Sequence, residues 1–324
     1  MTHTRLRLDE FEVSRRPGRR RVMVTVDANP PVDLPLLVIA GDRPGPVFVA
    51  AAGVHGDEYE GPRALWEIYD SLPPSSLSGV LVGLPICNPW AFAAGSRTTP
   101  PQLDGVNLAR TFPGDPAGSS TQRLAAALLS FVMRLRPSLF LDLHSGGVRY
   151  RFLPAVAYRQ GLGDTARARA AARAFGLVNL CRARDHPGTF NTETARRGIT
   201  TLGNEMTGAG GCLDEDVEAD YQGVLNLLRW LGMLRDRPAP EAAGPFWQTT
   251  EVPAPSGGCA EVLRTVGDAV PDGMPIASVR SPLGEVTGEA RAPHAGTIWV
   301  TRHLRVIEAG EMIGAVARPV PDDE

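Results

Sequence analysis

Three stretches of the sequence end an apolar run at polar side chains that could do chemistry. His55 and Glu58 follow one run, His144 follows a second, and Glu205 closes a third. The runs are bounded by Gly and Pro and are typical of buried strands. Functional groups often lie where the carboxyl ends of such strands meet loops and helix starts. We therefore expect these four side chains to lie at that edge of a sheet.

His55 and Glu58 are three positions apart, which is a weak signal by itself. Their position strengthens it, because they lie in a Gly-flanked turn directly after a predicted strand, and His144 offers a third ligand. Two His and one Glu with an open fourth position is the composition of a catalytic zinc site. Zinc there binds a water, lowers its pKa and polarises a carbonyl. The alternative is two core histidines bonded to backbone carbonyls and a helix N-terminal acid.

Glu205 closes its strand just before a Gly-rich segment, GAGG. A carboxylate near a metal-bound water is a suitable general base that can later return the proton to a leaving amine. The alternative is a strand-end acid that accepts hydrogen bonds from nearby backbone amides.

Residues 88–114 form a long, polar, turn-rich stretch that contains Arg97, Asp104, Asn107 and Arg110. Loops of this length inside a domain are usually functional or disordered. Arginine can hold a carboxylate through two parallel hydrogen bonds or stabilise an oxyanion. The alternative is a solvated loop with surface arginines.

Composition excludes several function classes. The chain has 324 residues, a net charge of −3 and a sequence pI of about 6.1, which disfavours nucleic acid as the main partner. No apolar run is long enough for a membrane helix and the start lacks a secretory signal pattern, so we expect a cytoplasmic protein. All 33 Lys+Arg residues are Arg, which excludes Schiff-base lysine chemistry and lysine-linked cofactors. The four scattered cysteines are expected to be free thiols.

The elements that must position these side chains follow from hydrophobic periodicity and from turn residues. Strands alternating with helices predict an α/β sheet covered on both faces, with a catalytic domain over residues 1–240 whose first 35 residues are a β-like extension. A Pro- and Ala-rich linker is predicted over 237–247, and short Gly- and Pro-punctuated stretches predict a small all-β module over 248–324. The predicted strands are 36–40, 46–52, 80–86, 139–143, 177–181 and 199–205, and the predicted helices are 61–72, 119–135, 164–175 and 214–234.

The motifs within 54–211 together resemble the succinylglutamate desuccinylase/aspartoacylase family, which is related to the zinc carboxypeptidases. The first motif is GVHGDE. The second consists of an Arg followed by TP, DG, NL, a second Arg and FPG. The motif DLHSG comes next, and a late Glu before a Gly-rich loop is the last. The all-β tail is similar to the C-terminal module of the bacterial branch, and the subgroup that comes nearest contains Nα-acetyl-diaminobutyrate deacetylases. The resemblance implies a zinc-carboxypeptidase-like mixed sheet flanked by helices, followed by a small β module.

The resemblance also implies roles. It implies one zinc per chain and hydrolysis of the amide bond of an acylated amino acid or diamino acid by a Glu-activated zinc water. The substrate would be Nα-acetyl-diaminobutyrate-like, acylaspartate-like or succinylglutamate-like. The implied residues are His55, Glu58 and His144 as zinc ligands, Glu205 as general base, Arg97 for the oxyanion, and Arg110 with Asn107 for substrate binding. Asp142 is expected to be a structural acid or to support the zinc histidine.

The chain departs from the family pattern at one position, Ala109, where the family usually has Asn. Ala109 cannot donate a hydrogen bond to the substrate carboxylate, so carboxylate binding is expected to be weaker or reorganised. Two readings stay open beside the deacylase. Ala109 and the β tail count against the first, a metallocarboxypeptidase acting on peptides, whereas Ala109 favours the second, a catalytically silent homologue that binds an acylated metabolite. His186 is expected to be a loop residue, and the acidic run 213–220 a charged first helical turn. The β module is expected to cap the domain or support a homo-oligomer.

Overall fold

The computed structural model describes residues 6–237 and 240–321. Small parts of three predicted segments therefore lie outside the described residues: 1–5 of the N-terminal extension, 238–239 of the linker and 322–324 of the β module. None of the helices in the described ranges is long and apolar enough to cross a membrane.

Seventeen strands and six α-helices make up the regular structure of these described ranges. The helices are α1 (Glu60–Ser71), α2 (Pro89–Ala94), α3 (Ser120–Leu135), α4 (Thr165–Phe175), α5 (Phe190–Arg196) and α6 (Asp214–Trp230). The strands up to the β module are β1 (Gly18–Val26), β2 (Val32–Ala40), β3 (Arg43–Ala51), β4 (Ser78–Leu84), β5 (Leu139–Ser145), β6 (Tyr150–Phe152), β7 (Ala155–Arg159), β8 (Leu180–Ala183) and β9 (Thr201–Met206). The strands that follow are β10 (Phe246–Pro253), β11 (Gly258–Val262), β12 (Ala269–Val270), β13 (Pro275–Arg280), β14 (Val286–Arg291), β15 (Gly296–Arg302), β16 (Val306–Ile307) and β17 (Met312–Val320).

One large mixed sheet organises the molecule. Its strand order is β1-β2-β4-β3-β5-β9-β7-β8-β10-β17-β15-β12, with β6 paired to β15. The centre, β4-β3-β5-β9, is parallel, whereas β7 runs antiparallel to β9. The predicted α/β class with a mixed sheet and flanking helices is therefore confirmed.

The alternation of apolar side chains along the central strands divides the core into two layers. On β3, Val47, Val49 and Ala51 face the cluster that includes α3, whereas Phe48 and Ala50 face the cluster that includes α1, α4 and α6. A strand places successive side chains on opposite faces, so a continuously apolar strand must be covered on both sides. This is why β3 is buried throughout its second half.

The four predicted long helices are present, and the last of them, α6, ends at Trp230 rather than at residue 234. Ser119 and Gln122 form a capping box at the start of α3, and three acidic residues occupy the first turn of α6. Helices α2 and α5 and strands β6 and β7 are additional. They span seven residues or fewer, and α5 carries polar residues on its buried face, so periodicity did not distinguish them from loops.

The β module is joined to the large sheet. Strand β10 pairs in parallel with β8 and antiparallel with β17, so the sheet continues across the predicted linker. A second, four-stranded sheet of order β14-β13-β11-β16 packs over β15 and β17 around its own apolar cluster. The division into two domains stays a prediction, because the main sheet spans both.

Candidate functional site

The ends of two neighbouring parallel strands bring three metal-binding side chains together. His55 and Glu58 lie in the turn between β3 and α1, and His144 lies on β5, which pairs with β3. The turn approaches α2 so closely that a Cβ on Gly56 would lie 2.0 Å from the carbonyl carbon of Ala91. A glycine is therefore required where the chain reverses after β3.

The donor atoms of this group converge on one point. His55 Nδ1 lies 2.6 Å from Glu58 Oε1, and His144 Nδ1 lies 2.9 Å from Glu58 Oε2. All three donor atoms lie within 4.8 Å of one another, and His55 and Glu58 are each only 2% exposed. Two nitrogens that face one carboxylate need a proton or a cation between them, so these three side chains could hold a metal ion.

The remaining ring nitrogens have partners that leave both Nδ1 atoms available. His55 Nε2 lies 3.1 Å from Asn107 Oδ1, and His144 Nε2 lies 3.3 Å from Asp142 Oδ1. When each ring carries its proton on Nε2, toward Asn107 and Asp142, the Nδ1 lone pairs point to the common centre. The donor set and its supports therefore fit a zinc ion.

Burial and charge set the protonation of these groups. Burial lowers the pKa of His55 to about 4, so this ring is neutral at pH 7 and can bind a metal. Burial acts to raise the pKa of Glu58, but His55 and His144 outweigh it and hold the pKa of this carboxyl well below its usual range. Glu58 is thus a carboxylate, as a metal ligand must be.

Arg97 lies beside the three donors. Its Nη1 donates a hydrogen bond of 2.9 Å to Glu58 Oε1, and its guanidinium carbon lies 6.0 Å from the centre of the Tyr150 ring. The other N–H groups of Arg97 make no hydrogen bond to the described residues, and a guanidinium group in this setting can hold an anion.

Glu205 lies on β9 in register with His144 on β5 and lines the same cavity. Its carboxyl group has no hydrogen-bond partner within residues 6–237 and 240–321. Burial raises the pKa of Glu205 to about 8; the charge of Glu58 adds to this effect, whereas His144 and Arg97 oppose it. A carboxyl group with a raised pKa and no structural partner is typical of a general acid–base residue.

The predicted substrate-binding residues lie at the short helical turn Leu108–Arg110. Asn107 Oδ1 accepts a hydrogen bond of 2.9 Å from Ala109 N–H and lies 3.1 Å from His55 Nε2, so this side chain contacts the His55 ring as well as lining the cavity. Arg110 lines the cavity too, and its Nη1 donates to the Ala109 carbonyl. The Ala109 methyl group is buried beside them.

A cavity of about 400 Å³ connects these residues. Its far wall comes from β7, β8 and the β module. The sequence did not indicate this wall, because the pairing of strands that are distant along the chain leaves no local signal. The additional lining side chains include Arg159, Asn191, Thr249, Glu251 and Trp299. His186, expected to be a loop residue, lies on a loop and also lines the cavity.

The other candidate groups have structural partners. Asp104 accepts hydrogen bonds from the backbone and hydroxyl of Thr121 at the start of α3. In the acidic run, Asp216 bonds Thr207 and Asp220 bonds Asn204, so these two carboxyls face the sheet rather than the cavity. The four cysteines are free thiols, and Cys181 lies in the cavity wall.

Known proteins match both the sequence and this fold. The model of the succinylglutamate desuccinylase/aspartoacylase catalytic domain matches residues 44–231. An N-alpha-acetyl-L-2,4-diaminobutyric acid deacetylase of Halomonas elongata is 30% identical over 303 residues, which cover 89% of this chain and 86% of that protein.

Solved structures extend the match to nearly the whole chain. The product-bound ectoine utilization protein EutE (DoeB) of Ruegeria pomeroyi is 28% identical with a TM-score of 0.85, covering 95% of this chain and 97% of that one. A succinylglutamate desuccinylase/aspartoacylase of Rhodobacter sphaeroides is 27% identical with a TM-score of 0.85, covering 96% and 98%.

Proposed function

Since this chain belongs to the succinylglutamate desuccinylase/aspartoacylase family, we propose that it is a zinc-dependent hydrolase that removes the acyl group from an N-acylated amino acid. The observation that carries the proposal is the convergence of His55 Nδ1, Glu58 and His144 Nδ1 beside a cavity that Glu205 and Arg97 also line. A structural cluster would not need an unpartnered carboxyl group beside it.

The three converging side chains would hold the zinc ion. The chemistry that zinc supplies at such a site is polarisation of the scissile carbonyl and a lowered pKa for water.

Glu205 takes a proton from the attacking water and returns it to the departing nitrogen as the C–N bond breaks. Arg97 holds the negative charge that develops on the carbonyl oxygen. Arg110 binds a substrate carboxylate.

The three substrate types that the sequence leaves open differ in the charge of the amino acid side chain. The name of the Halomonas elongata relative supports an acetylated diamino acid. Glu251, an exposed carboxylate in the cavity wall, suits the ammonium group of such a substrate. We propose Nα-acetyl-diaminobutyrate-like substrates as the first to test.

The first experiment is metal analysis of the purified protein beside two variants, His144→Ala and the control His294→Ala. His294 is a half-buried histidine of the β module whose ring lies 3.0 Å from the Thr250 hydroxyl. We expect about one zinc per chain in the wild type and the control, loss of zinc in His144→Ala, and hydrolysis of N-acetylated amino acids only where zinc is present.

Protein that binds no zinc, even when zinc is added, would overturn the hydrolase proposal and favour the silent acyl-binding homologue. Zinc-loaded protein that cleaves peptides but no N-acyl amino acid would favour the metallocarboxypeptidase.

A further inference from the structure

The cavity contains positive charge that the groups assigned so far do not neutralise. Of the arginines that line it, Arg97 pairs with Glu58, and Arg149 pairs with Glu311 at 3.2 Å. Neither Arg110 nor Arg159 forms an ion pair with a carboxylate of the described residues. A partly buried guanidinium without a counter-ion is costly, and such a group at a cavity wall is suited to a ligand anion.

Arg159 is held in place by neutral partners. Its Nε and Nη2 both donate to Asn191 Oδ1, at 3.1 and 3.0 Å, and its Nη1 donates to the Arg184 carbonyl at 3.0 Å. Asn191 Oδ1 is itself 2.9 Å from the Thr189 hydroxyl that donates to it. These contacts use three of the five guanidinium N–H groups and leave one on each terminal nitrogen.

Arg159, Arg110 and His186 lie at the same end of the cavity. All three line it, and Phe112 N–H, two residues after Arg110, donates to the Gly188 carbonyl of the His186 loop. Burial lowers the pKa of His186, and the nearby positive charges of Arg110 and Arg159 lower it further. A neutral imidazole and two guanidinium groups together offer N–H donors to one anion.

Small side chains leave room for the ligand in front of Arg159. The wall between Arg159 and Glu205 is formed by Ala155 and Ala157 of β7 and by Gly203 of β9. A Cβ at Gly203 would lie 2.6 Å from Asn191 Nδ2, so this glycine also gives space to the side chain that holds Arg159.

We propose that Arg159, with His186 and Arg110 beside it, binds the carboxylate of the N-acylated amino acid. The inference rests on the proposed function, and it assigns a substrate-binding role to a residue of β7. It also gives a physical account of Ala109, because a carboxylate bound to Arg159 has a charged partner that does not depend on a hydrogen-bond donor at position 109. Substrates without a carboxylate should therefore be poor.

Matched substrates and matched variants test this. Each N-acetyl amino acid is paired with its carboxamide, and the variants are Arg159→Gln, Arg159→Lys and the control Arg184→Gln, whose exposed side chain lies outside the cavity. We expect Arg159→Gln to lower kcat/KM for the carboxylate substrate about 10- to 100-fold, mainly through a higher KM. The kcat/KM for the carboxamide should change little. Arg159→Lys should recover part of the loss, because lysine keeps the positive charge but cannot donate two parallel hydrogen bonds to a carboxylate.

Equal losses on both substrates in Arg159→Gln would overturn the inference, because a merely structural arginine would affect both alike. A circular dichroism melt identifies an unfolded variant, in which case Arg159→Lys alone is compared on the two substrates.

Binding separates this inference from the proposed function. Calorimetric titration of the metal-free protein with the N-acetyl amino acid and with its carboxamide needs no turnover. Selective binding of the carboxylate that Arg159→Gln abolishes supports the inference even if the wild type hydrolyses nothing. Equal binding of both compounds by the wild type would overturn it even if the enzyme is active.

Discussion

At the scale of single residues, the site separates groups that hold a metal from groups that move protons. Glu58 accepts hydrogen bonds from Arg97 and from the Ser145 backbone while facing two histidines, whereas Glu205 has no such partner within the described ranges. Two carboxyl groups in one cavity thus have different environments, and this difference is what allows one to bind a cation and the other to exchange a proton.

Replacement of Glu205 by Gln removes the proton acceptor and keeps the shape of the side chain. We expect zinc content to stay at the wild-type level and kcat to fall about 10²- to 10⁴-fold, the usual effect of losing a general base. Metal analysis and steady-state kinetics on the same preparation check this. Turnover close to that of the wild type would remove Glu205 from the mechanism.

Asp142 Oδ1 lies 3.3 Å from His144 Nε2, and the Asp142 residue is only 1% exposed. In Asp142→Asn the Nε2 proton of His144 loses its charged acceptor, so we expect zinc affinity to fall about 10- to 100-fold. Competition with a chelating fluorophore measures this affinity. Asp115→Asn, the same change at an exposed position, should leave it unchanged; an equal effect of both variants would contradict the role of Asp142.

At the scale of elements, helix α6 supports the floor of the site through buried polar contacts. Asp220 accepts a hydrogen bond from Asn204 Nδ2 on β9, and Asn204 Oδ1 accepts one of 3.2 Å from the His144 backbone N–H on β5. A chain of contacts thus links α6 to the strand that carries His144.

Asp220 also makes stability depend on pH. Burial raises the pKa of Asp220 well above its usual value; Asn204 opposes this, and the nearby carboxyls Glu60 and Asp216 add to it. The unfolded chain releases this proton near pH 4 and the folded chain retains it, so the free energy of unfolding falls as pH rises above about 4.

In Asp220→Asn, urea denaturation between about pH 4 and pH 7 should show a smaller fall in the free energy of unfolding than in the wild type. Glu60 and Asp216 would maintain the remaining pH dependence of the free energy of unfolding, because burial also raises their pKa values. The exposed control Glu215→Gln should keep the wild-type slope. An unchanged slope in Asp220→Asn would show that Asp220 is ionised in the folded protein.

The packing of α6 on α4 depends on the absence of a Cβ atom at Gly223. A Cβ on Gly223 would lie 2.2–2.6 Å from three ring carbons of Phe175. Alanine normally stabilises a helix interior by about 0.5–1 kcal/mol relative to glycine, but this overlap should reverse the sign. We expect Gly223→Ala to lower the free energy of unfolding by about 1–3 kcal/mol, measured in urea. The neighbouring exposed change Gln222→Ala should be nearly neutral; greater stability in Gly223→Ala would contradict the close packing.

At the scale of the whole molecule, the parts that could be predicted from sequence are those whose signals are local. His55, Glu58 and His144 were identifiable because ligand types follow apolar strands, and the long helices because their apolar residues recur every three to four positions. Arg159 and Glu251 gave no such signal. Arg159 joins the site because short β7 runs antiparallel to β9, and Glu251 joins it because β10 pairs with β8 and β17. These are long-range pairings, which one sequence does not specify.

Those pairings predict that the β module is needed for an intact site. Trp299, Val300 and Ala315 pack on Tyr150 and Ala155 beside the cavity. A chain that ends at residue 244 would lack β10 to β17, expose this apolar cluster and leave β8 as an unpaired edge. We expect it to aggregate, or to unfold without a cooperative transition, and to lose hydrolysis of N-acyl amino acids, as measured by size-exclusion chromatography, thermal melts and kinetics.

A truncated chain that is soluble, melts cooperatively and retains the wild-type kcat/KM would mean that residues 1–244 form an independent catalytic domain. The matched control is a chain that keeps the large sheet but has Val286→Ser and Leu283→Ser in the outer hairpin. Both side chains are exposed, so we expect this variant to retain activity and stability. If only the truncation abolishes activity, the continuous sheet, rather than the surface of the module, completes the site.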